Sequence, residues 1–182
     1  MIEKEILEAI KEGDSLAFRN LVESYIDFAY SLAFKVLGDT EVSNDVVQES
    51  FIKIWEKRRS IRSDGSLSPW IRKIVINKCY DHLRKKRREA GFSSENSGKE
   101  VERLIGSETS DGEFQDHEYS KLLHRLTFTL SPKQKLVFML SEIEGMSHDE
   151  IAESTGLTKS SIKSNLNHAR KNLKNKIEKQ LN

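Results

Sequence analysis

The chain has 182 residues, 32% of them charged, with two prolines and a formal net charge of +1. A single cysteine, Cys79, excludes an intrachain disulfide and therefore a secreted disulfide scaffold. No apolar run approaches membrane-spanning length, and the alternation of Glu and Lys with Ile and Leu over Met1 to Ile10 is unlike a signal peptide, so a soluble, cytoplasmic, helix-rich protein is expected.

From Phe18, the apolar residues Leu21, Val22, Tyr25, Phe28, Ala29, Leu32, Ala33, Val36 and Leu37 recur at three- and four-residue spacing until Gly38-Asp39 interrupts them. That period predicts a long amphipathic helix with its stripe turned inward. A second helix follows from about Val42, with Val46, Val47, Phe51, Ile54 and Trp55 on one side and Asp45, Gln48, Glu49 and Ile52 on another. Ser63-Asp64-Gly65-Ser66 marks a loop, and Ser68-Pro69 reads as an N-cap with proline in the first turn. The helix beyond it turns Trp70, Ile71, Ile74, Val75 and Leu83 inward and ends in the basic run Arg84 to Arg88.

Residues Glu89 to Glu118 are rich in Glu, Ser and Gly, and their few apolar residues keep no sustained period. They cannot bury enough surface to offset their ordering entropy, so they read as a linker, with a short helix around Glu100 to Ile105. Helical pattern resumes at Leu122, Leu123, Leu126 and Phe128. Ser131-Pro132-Lys133-Gln134 is then a capping box with proline at the first position, opening a helix through Leu136, Val137, Leu140 and Ile143 to Gly145. The expected architecture is all-α: a helical domain over residues 1–90, an acidic linker over 91–118 and a second helical domain over 119–182.

The small net charge conceals a segregation of sign. Cations dominate from Lys57 to Arg88 and again from Lys159 to Lys179, while the stretch between is acidic. In the second basic block, Ser147-His148-Asp149-Glu150 forms another capping box. Counting from His148, a small residue stands fifth (Ala152), glycine ninth (Gly156) and Ile162 fifteenth. Two helices crossing steeply through a tight turn need a small side chain for close approach, a residue tolerant of positive φ, and a branched apolar residue to lock the second helix. This predicts a helix-turn-helix whose second helix exposes Thr158, Lys159, Ser160, Lys163, Ser164, Asn167 and Arg170. Lysine and arginine suit phosphate there, and Ser, Thr and Asn suit base edges. In the first block, Asn77, Asp81, Arg84, Lys85 and Arg88 set amide, carboxylate and cations along one polar stripe, suited to single-stranded DNA.

Three ordered segments resemble the bacterial sigma-70 family, in its small extracytoplasmic-function (ECF) group. They are Asp45 to Trp55; Trp70 with Ile74, Asn77, Asp81 and Arg84; and Ser161 to Ser164 with Leu166, Ala169 and Arg170. The resemblance spans about Gly13 to Leu181. It implies that Asp45, Gln48, Glu49 and Ile52 dock on core RNA polymerase. It also implies that the Ser60 to Arg88 region opens and reads the minus-10 promoter element and that the helix-turn-helix reads the minus-35 element. An anti-sigma factor is the implied regulator. In relatives a linker of this kind enters the polymerase channel; here channel entry and a simple acidic tether fit the composition equally. Asn165, His168 and Ile76 stand where many relatives carry arginine, so the family's promoter sequence does not transfer.

Two other readings are weighed against this one. A stand-alone helix-turn-helix regulator requires a ligand pocket or dimer seam in the N-terminal half, and the sequence displays neither. A nucleic-acid enzyme would draw on Asp81 with His82 or Asp149 with Glu150, but the first pair sits inside a basic helix and the second in a helix's first turn. The five histidines lack metal-ligand spacing, and no cofactor, metal or catalytic residue is expected. Cys79 reads as buried filler.

Overall fold

Eight α-helices, one 3-10 turn and one π-helical turn make up the computed structural model over its described residues, 2–61, 67–89 and 116–181. The expected short helix at Glu100 to Ile105 lies outside them. Helix α1 (Ile2–Glu12) buries Leu7 and Ile10, three residues apart on one face. Asp14 caps α2 (Ser15–Leu37) by accepting from the backbone N–H groups of Leu16 and Ala17 at 2.8 and 3.1 Å. Gly38, at φ 73°, closes α2 by donating its N–H to the Phe34 carbonyl at 2.8 Å. The carboxylate of Asp39 then accepts from Val42 N–H at 3.0 Å and opens α3 (Thr40–Glu56), two residues before the sequence pattern begins.

After a 3-10 turn at Arg58–Ser60, α4 runs from Leu67 to Glu89. Leu67 is already helical and buried, so Ser68 lies inside the first turn rather than ahead of it. Helices α2, α3 and α4 pack on one another, and α1 lies against α2 and the 3-10 turn. Within this half Leu32, Val36, Ile54, Ile71 and Val75 are at most 1% exposed. Burying a side chain of this size contributes about 1.5–3 kcal/mol. The small buried polar residues Ser43 and Ser50 bond back to the carbonyls of Asp39 and Val46, both at 2.6 Å, leaving neither hydroxyl without a partner.

The C-terminal half begins with α5 (Asp116–Thr127). Both expected capping boxes are present: Ser131 with Gln134 opens α6 (Pro132–Phe138), and Ser147 with Glu150 opens α7 (His148–Thr155). Between them α6 passes into a π-helical turn, Met139–Ile143, which the sequence pattern reads as plain α-helix. The final helix, α8, covers Lys159–Leu181. Leu136, Val137, Leu140, Ile151, Ile162 and Leu166 form the centre of this half. A smaller cluster of Leu130, Ala169 and Leu173 ties α8 to the residues before α6.

The two halves touch. Helix α4 packs on α7 and α6, and α2 packs on the π turn, so the two cores run together into one buried cluster. Ile76 and Cys79 are 0% exposed. They lie near the stripe that carries Arg72 and Arg87, both of which reach residues of the C-terminal half. Burial pushes the Cys79 thiol up to about 12, which keeps it protonated and unreactive.

Candidate nucleic-acid interface

The helix-turn-helix owes its shape to a few local contacts. At its entrance, Ser147 N–H and Oγ both donate to the Glu150 carboxylate at 2.8 Å, and Glu150 N–H returns a bond to Ser147 Oγ at 3.3 Å. These bonds hold the Glu150 carboxyl below its usual range. Gly156 stands at φ 73° and donates to the Ala152 carbonyl at 2.8 Å, the left-handed position the ninth-place glycine anticipates. Ile151 and Ile162 are both fully buried, one on each helix, and fix the crossing.

Thr158 caps the second helix, its Oγ1 accepting from Ser161 N–H at 3.2 Å. Thr158, Lys159, Ser160, Lys163, Ser164, Asn167 and Arg170 are all exposed. Of these, Ser160, Lys163, Ser164 and Asn167 follow the spacing of one helical face. The other cations are tied locally: Lys159 pairs with Asp149 across the turn, and Arg170 pairs with Glu142 at 2.6 Å. Lys163 has no ion-pair partner among the described residues. Asn165 bends back, its amide donating to Ser161 O at 2.7 Å and Oγ at 3.3 Å, whereas His168 is exposed.

In the N-terminal half a cleft of about 410 Å³ lies between α3 and α4. Asp45 and Glu49 line it from α3; Lys78, Asp81, Arg84, Lys85 and Arg88 line it from α4. Asp45, Gln48, Glu49 and Ile52 form one exposed stripe, with Ile52 59% exposed despite being apolar. Lys78 bridges the cleft to Glu49 at 2.8 Å. The sequence reading overlooks Lys78, although its spacing from Asp81 and Lys85 places it on the same face. The Arg84 guanidinium lies 5.7 Å from the Tyr80 ring centre and 3.9 Å from Asp81, and Lys85 lies 3.8 Å from Glu89.

Asn77 differs from the rest of its stripe. It is half-buried, and its amide donates to the Ser154 carbonyl of α7 at 3.4 Å. Trp70 is half-buried against the core. Of the adjoining Ser60 to Ser68 loop, residues 62–66 lie outside the described structure.

A helical unit with a cationic stripe beside an acidic edge, followed by a unit with an exposed helix-turn-helix, is an arrangement suited to a DNA-reading protein. The Sigma-70 region 2 family model matches residues 21–89 and the Sigma-70, region 4 model matches residues 120–173. The chain belongs to the sigma-70 family, in its ECF group. It is 26% identical over 182 residues to the ECF RNA polymerase sigma factor SigW of Bacillus subtilis (strain 168), covering 97% of each chain. It is 27% identical over 187 residues to the ECF RNA polymerase sigma-E factor of Escherichia coli (strain K12), covering 95% of this chain and 93% of that one. Two solved structures share the fold. CnrH in complex with the cytosolic domain of CnrY has a TM-score of 0.61 at 23% identity, covering 96% of both chains. The sigma factor RpoE in complex with the anti-sigma factor NepR from Bartonella quintana has a TM-score of 0.57 at 22% identity, covering 88% of this chain and 96% of that one.

Proposed function

We propose that within this sigma factor, which binds core RNA polymerase and directs it to specific promoters to initiate transcription, the work divides helix by helix. Asp45, Gln48, Glu49 and Ile52 on α3 form the edge that docks on core polymerase. Asn77, Asp81, Arg84, Lys85 and Arg88 on α4 hold the opened minus-10 strand. Thr158, Lys159, Ser160, Lys163, Ser164, Asn167 and Arg170 read the minus-35 element as duplex. The protein itself catalyses nothing and uses no metal or cofactor. Among the described residues no helix is long and apolar enough to cross a membrane, which accords with work in the cytoplasm. An anti-sigma factor is the regulator that the RpoE relative's partner suggests.

The observation that supports this reading best is the exposed stripe of Ser160, Lys163, Ser164 and Asn167 on a scaffold fixed by Gly156 and Ile162. Lysine there neutralises phosphate, while hydroxyl and amide groups reach base edges. Capturing an unstacked base at the minus-10 element costs a few kcal/mol, to be offset by a pocket from the Ser60 to Ser68 loop and contacts from the Asn77 to Arg88 helix. Transcription from genomic fragments by core polymerase, with and without the chain, tests the reading. Initiation at a discrete set of start sites is expected only when the chain is present. No stimulation at any promoter would leave a stand-alone regulator as the better account.

A further inference from the structure

A cavity of about 410 Å³ opens where α1, α2 and the first residue of α4 meet. That volume falls in the range of sites that hold small molecules. Ile6 of α1, Leu21 of α2 and Leu67 of α4 give it apolar walls, and Tyr25 adds an aromatic ring that packs against the core. Asn20 and Ser24, both exposed, supply its polar groups. They stand one turn apart on α2, on the face that also carries Leu21 and Tyr25. Ser24 Oγ donates to the Asn20 carbonyl at 2.8 Å, which uses its hydrogen and leaves the oxygen as an acceptor. The Asn20 side chain offers both a donor and an acceptor and has no hydrogen-bond partner among the described residues.

The chemistry of the lining selects its occupant. None of these six residues is charged at neutral pH, so the group inside is neutral rather than a phosphate or a carboxylate. An aromatic ring among aliphatic walls suits a flat heterocycle, and an amide beside a hydroxyl suits an edge where donors and acceptors alternate. An unstacked nucleobase has both properties, and sites for single-stranded DNA hold bases by stacking on aromatic side chains. Position favours the same occupant. Leu67, Lys78 and Lys85 fall on one line of the 3.6-residue period, so the cavity lies at the head of the cationic stripe of α4. From Leu67 to Asn77 the helix rises about 15 Å, which is about four nucleotides at the duplex rise of 3.4 Å per strand and fewer in a stretched strand. Arg19, next to Asn20 in the chain, is 75% exposed and lies 3.5 Å from Glu23, a surface pair weak enough to yield to a phosphate. Ile6 and Asn20 lie ahead of residues 21–89, which the Sigma-70 region 2 model matches, so the family resemblance does not supply this site.

We infer that the cavity is a base pocket. It takes one unstacked nucleobase of the opened strand, a few nucleotides past the segment held along Asn77 to Arg88, with Tyr25 stacking on the base and Asn20 and Ser24 contacting its edge. The inference rests on the sigma-factor reading above and adds to it a second point of sequence reading in the melted region. Asn20 and Ser24 thereby become specificity residues that belong to neither the docking edge nor the cationic stripe.

The test uses holoenzyme assembled from the full chain and core polymerase, bound to a promoter fork whose single-stranded segment carries one abasic residue at a time. Besides the minus-10 positions, one position outside that element is expected to lose about 5- to 150-fold in affinity, the loss of one stacked base. Asn20→Ala should shrink the loss at that position to about twofold or less and leave the losses at the minus-10 positions as they were. Ser24→Ala should act in the same direction and less. Both residues are exposed on α2 and alanine suits a helix, so each variant is expected to fold, which thermal unfolding checks. Free nucleoside monophosphates titrated into the chain in a calorimeter should give no binding heat. Heat that N20A abolishes, with no sensitive position in the strand, would assign the cavity to a soluble nucleotide and overturn the base pocket. An abasic loss outside the element that N20A leaves unchanged, or no such loss, would overturn it as well. Were the chain to form no holoenzyme at all, the sigma-factor reading would fail instead, so the two failures are distinguishable.

Discussion

The two surfaces proposed to read DNA differ in how exposed they are. The face of α8 stands in solvent, with its turn glycine, its cap and its buried isoleucines already in place. The face of α4 is divided: Asp81, Arg84, Lys85 and Arg88 are exposed, but Asn77 is turned onto a carbonyl of the other half. Duplex DNA needs a preformed surface, because base edges are read by rigidly placed groups. The contrast is between a face exposed throughout and one whose amide already has a partner within the chain.

Damage to the scaffold of α8 should have the largest effect. Ile162→Ala leaves a cavity where the two helices cross, and is expected to cost about 2–5 kcal/mol and to abolish minus-35 binding. Thermal unfolding and duplex binding measure it. Retained docking on core polymerase in the same variant would sharpen the contrast between halves.

Acid should act on the seam between the halves rather than on either reader. Burial first, then Lys135 and Lys86, hold the His124 imidazole down at about 3, so it is neutral in the packed chain. Its usual value in an exposed state is about 6.5, so below that pH the open or unfolded chain binds the extra proton and packing weakens. The stabilisation is complete above about pH 6.5 and fades as pH falls toward 3. Between pH 7 and pH 5 the loss should be about 2 kcal/mol by denaturant titration, and His124→Gln should remove that part of the dependence. Lys135 behaves in parallel at alkaline pH. Burial, then Lys86, lowers it to about 8, so packing should strengthen as pH rises from about 8 toward 10.5.

On the α8 face, Asn167→Ala should lower discrimination at its contacted base pair by about 1–3 kcal/mol, read from binding to single-substituted promoter duplexes. Uniform weakening across all sequences would move Asn167 from base reading to phosphate contact. The smallest change is expected for Lys163→Ala, which should reduce the salt slope of duplex binding by roughly 0.9. An unchanged slope would mean that Lys163 touches no phosphate.

Local chemistry made much of this structure legible. Gly38 and Gly156 end helices in the left-handed region, and Ser131 and Ser147 open them with reciprocal caps, because each involves residues within four positions of one another. The inward stripe of α2 and the outward stripe at Asp45, Gln48, Glu49 and Ile52 follow from helical period alone. Helix α1 escaped because its charges dominate the composition, though Leu7 and Ile10 carry the period. The seam between the halves was not legible at all. Ile76 and Lys135 do not announce which distant helix covers them, and a lysine buried to 8% exposure contradicts its polarity. The π turn at Met139–Ile143 is equally silent, since its residues suit an ordinary α-helix.

Helices α4 and α8 are proposed to read separate promoter elements from one polymerase-bound chain. Cleavage reagents tethered to cysteines at Glu89, the end of α4, and Lys171 on α8 would map both helices on promoter DNA within the holoenzyme. Cuts centred about 25 base pairs apart, upstream from α8 and near the melted region from α4, are the expected result. Cuts from both positions falling in one segment would contradict the account.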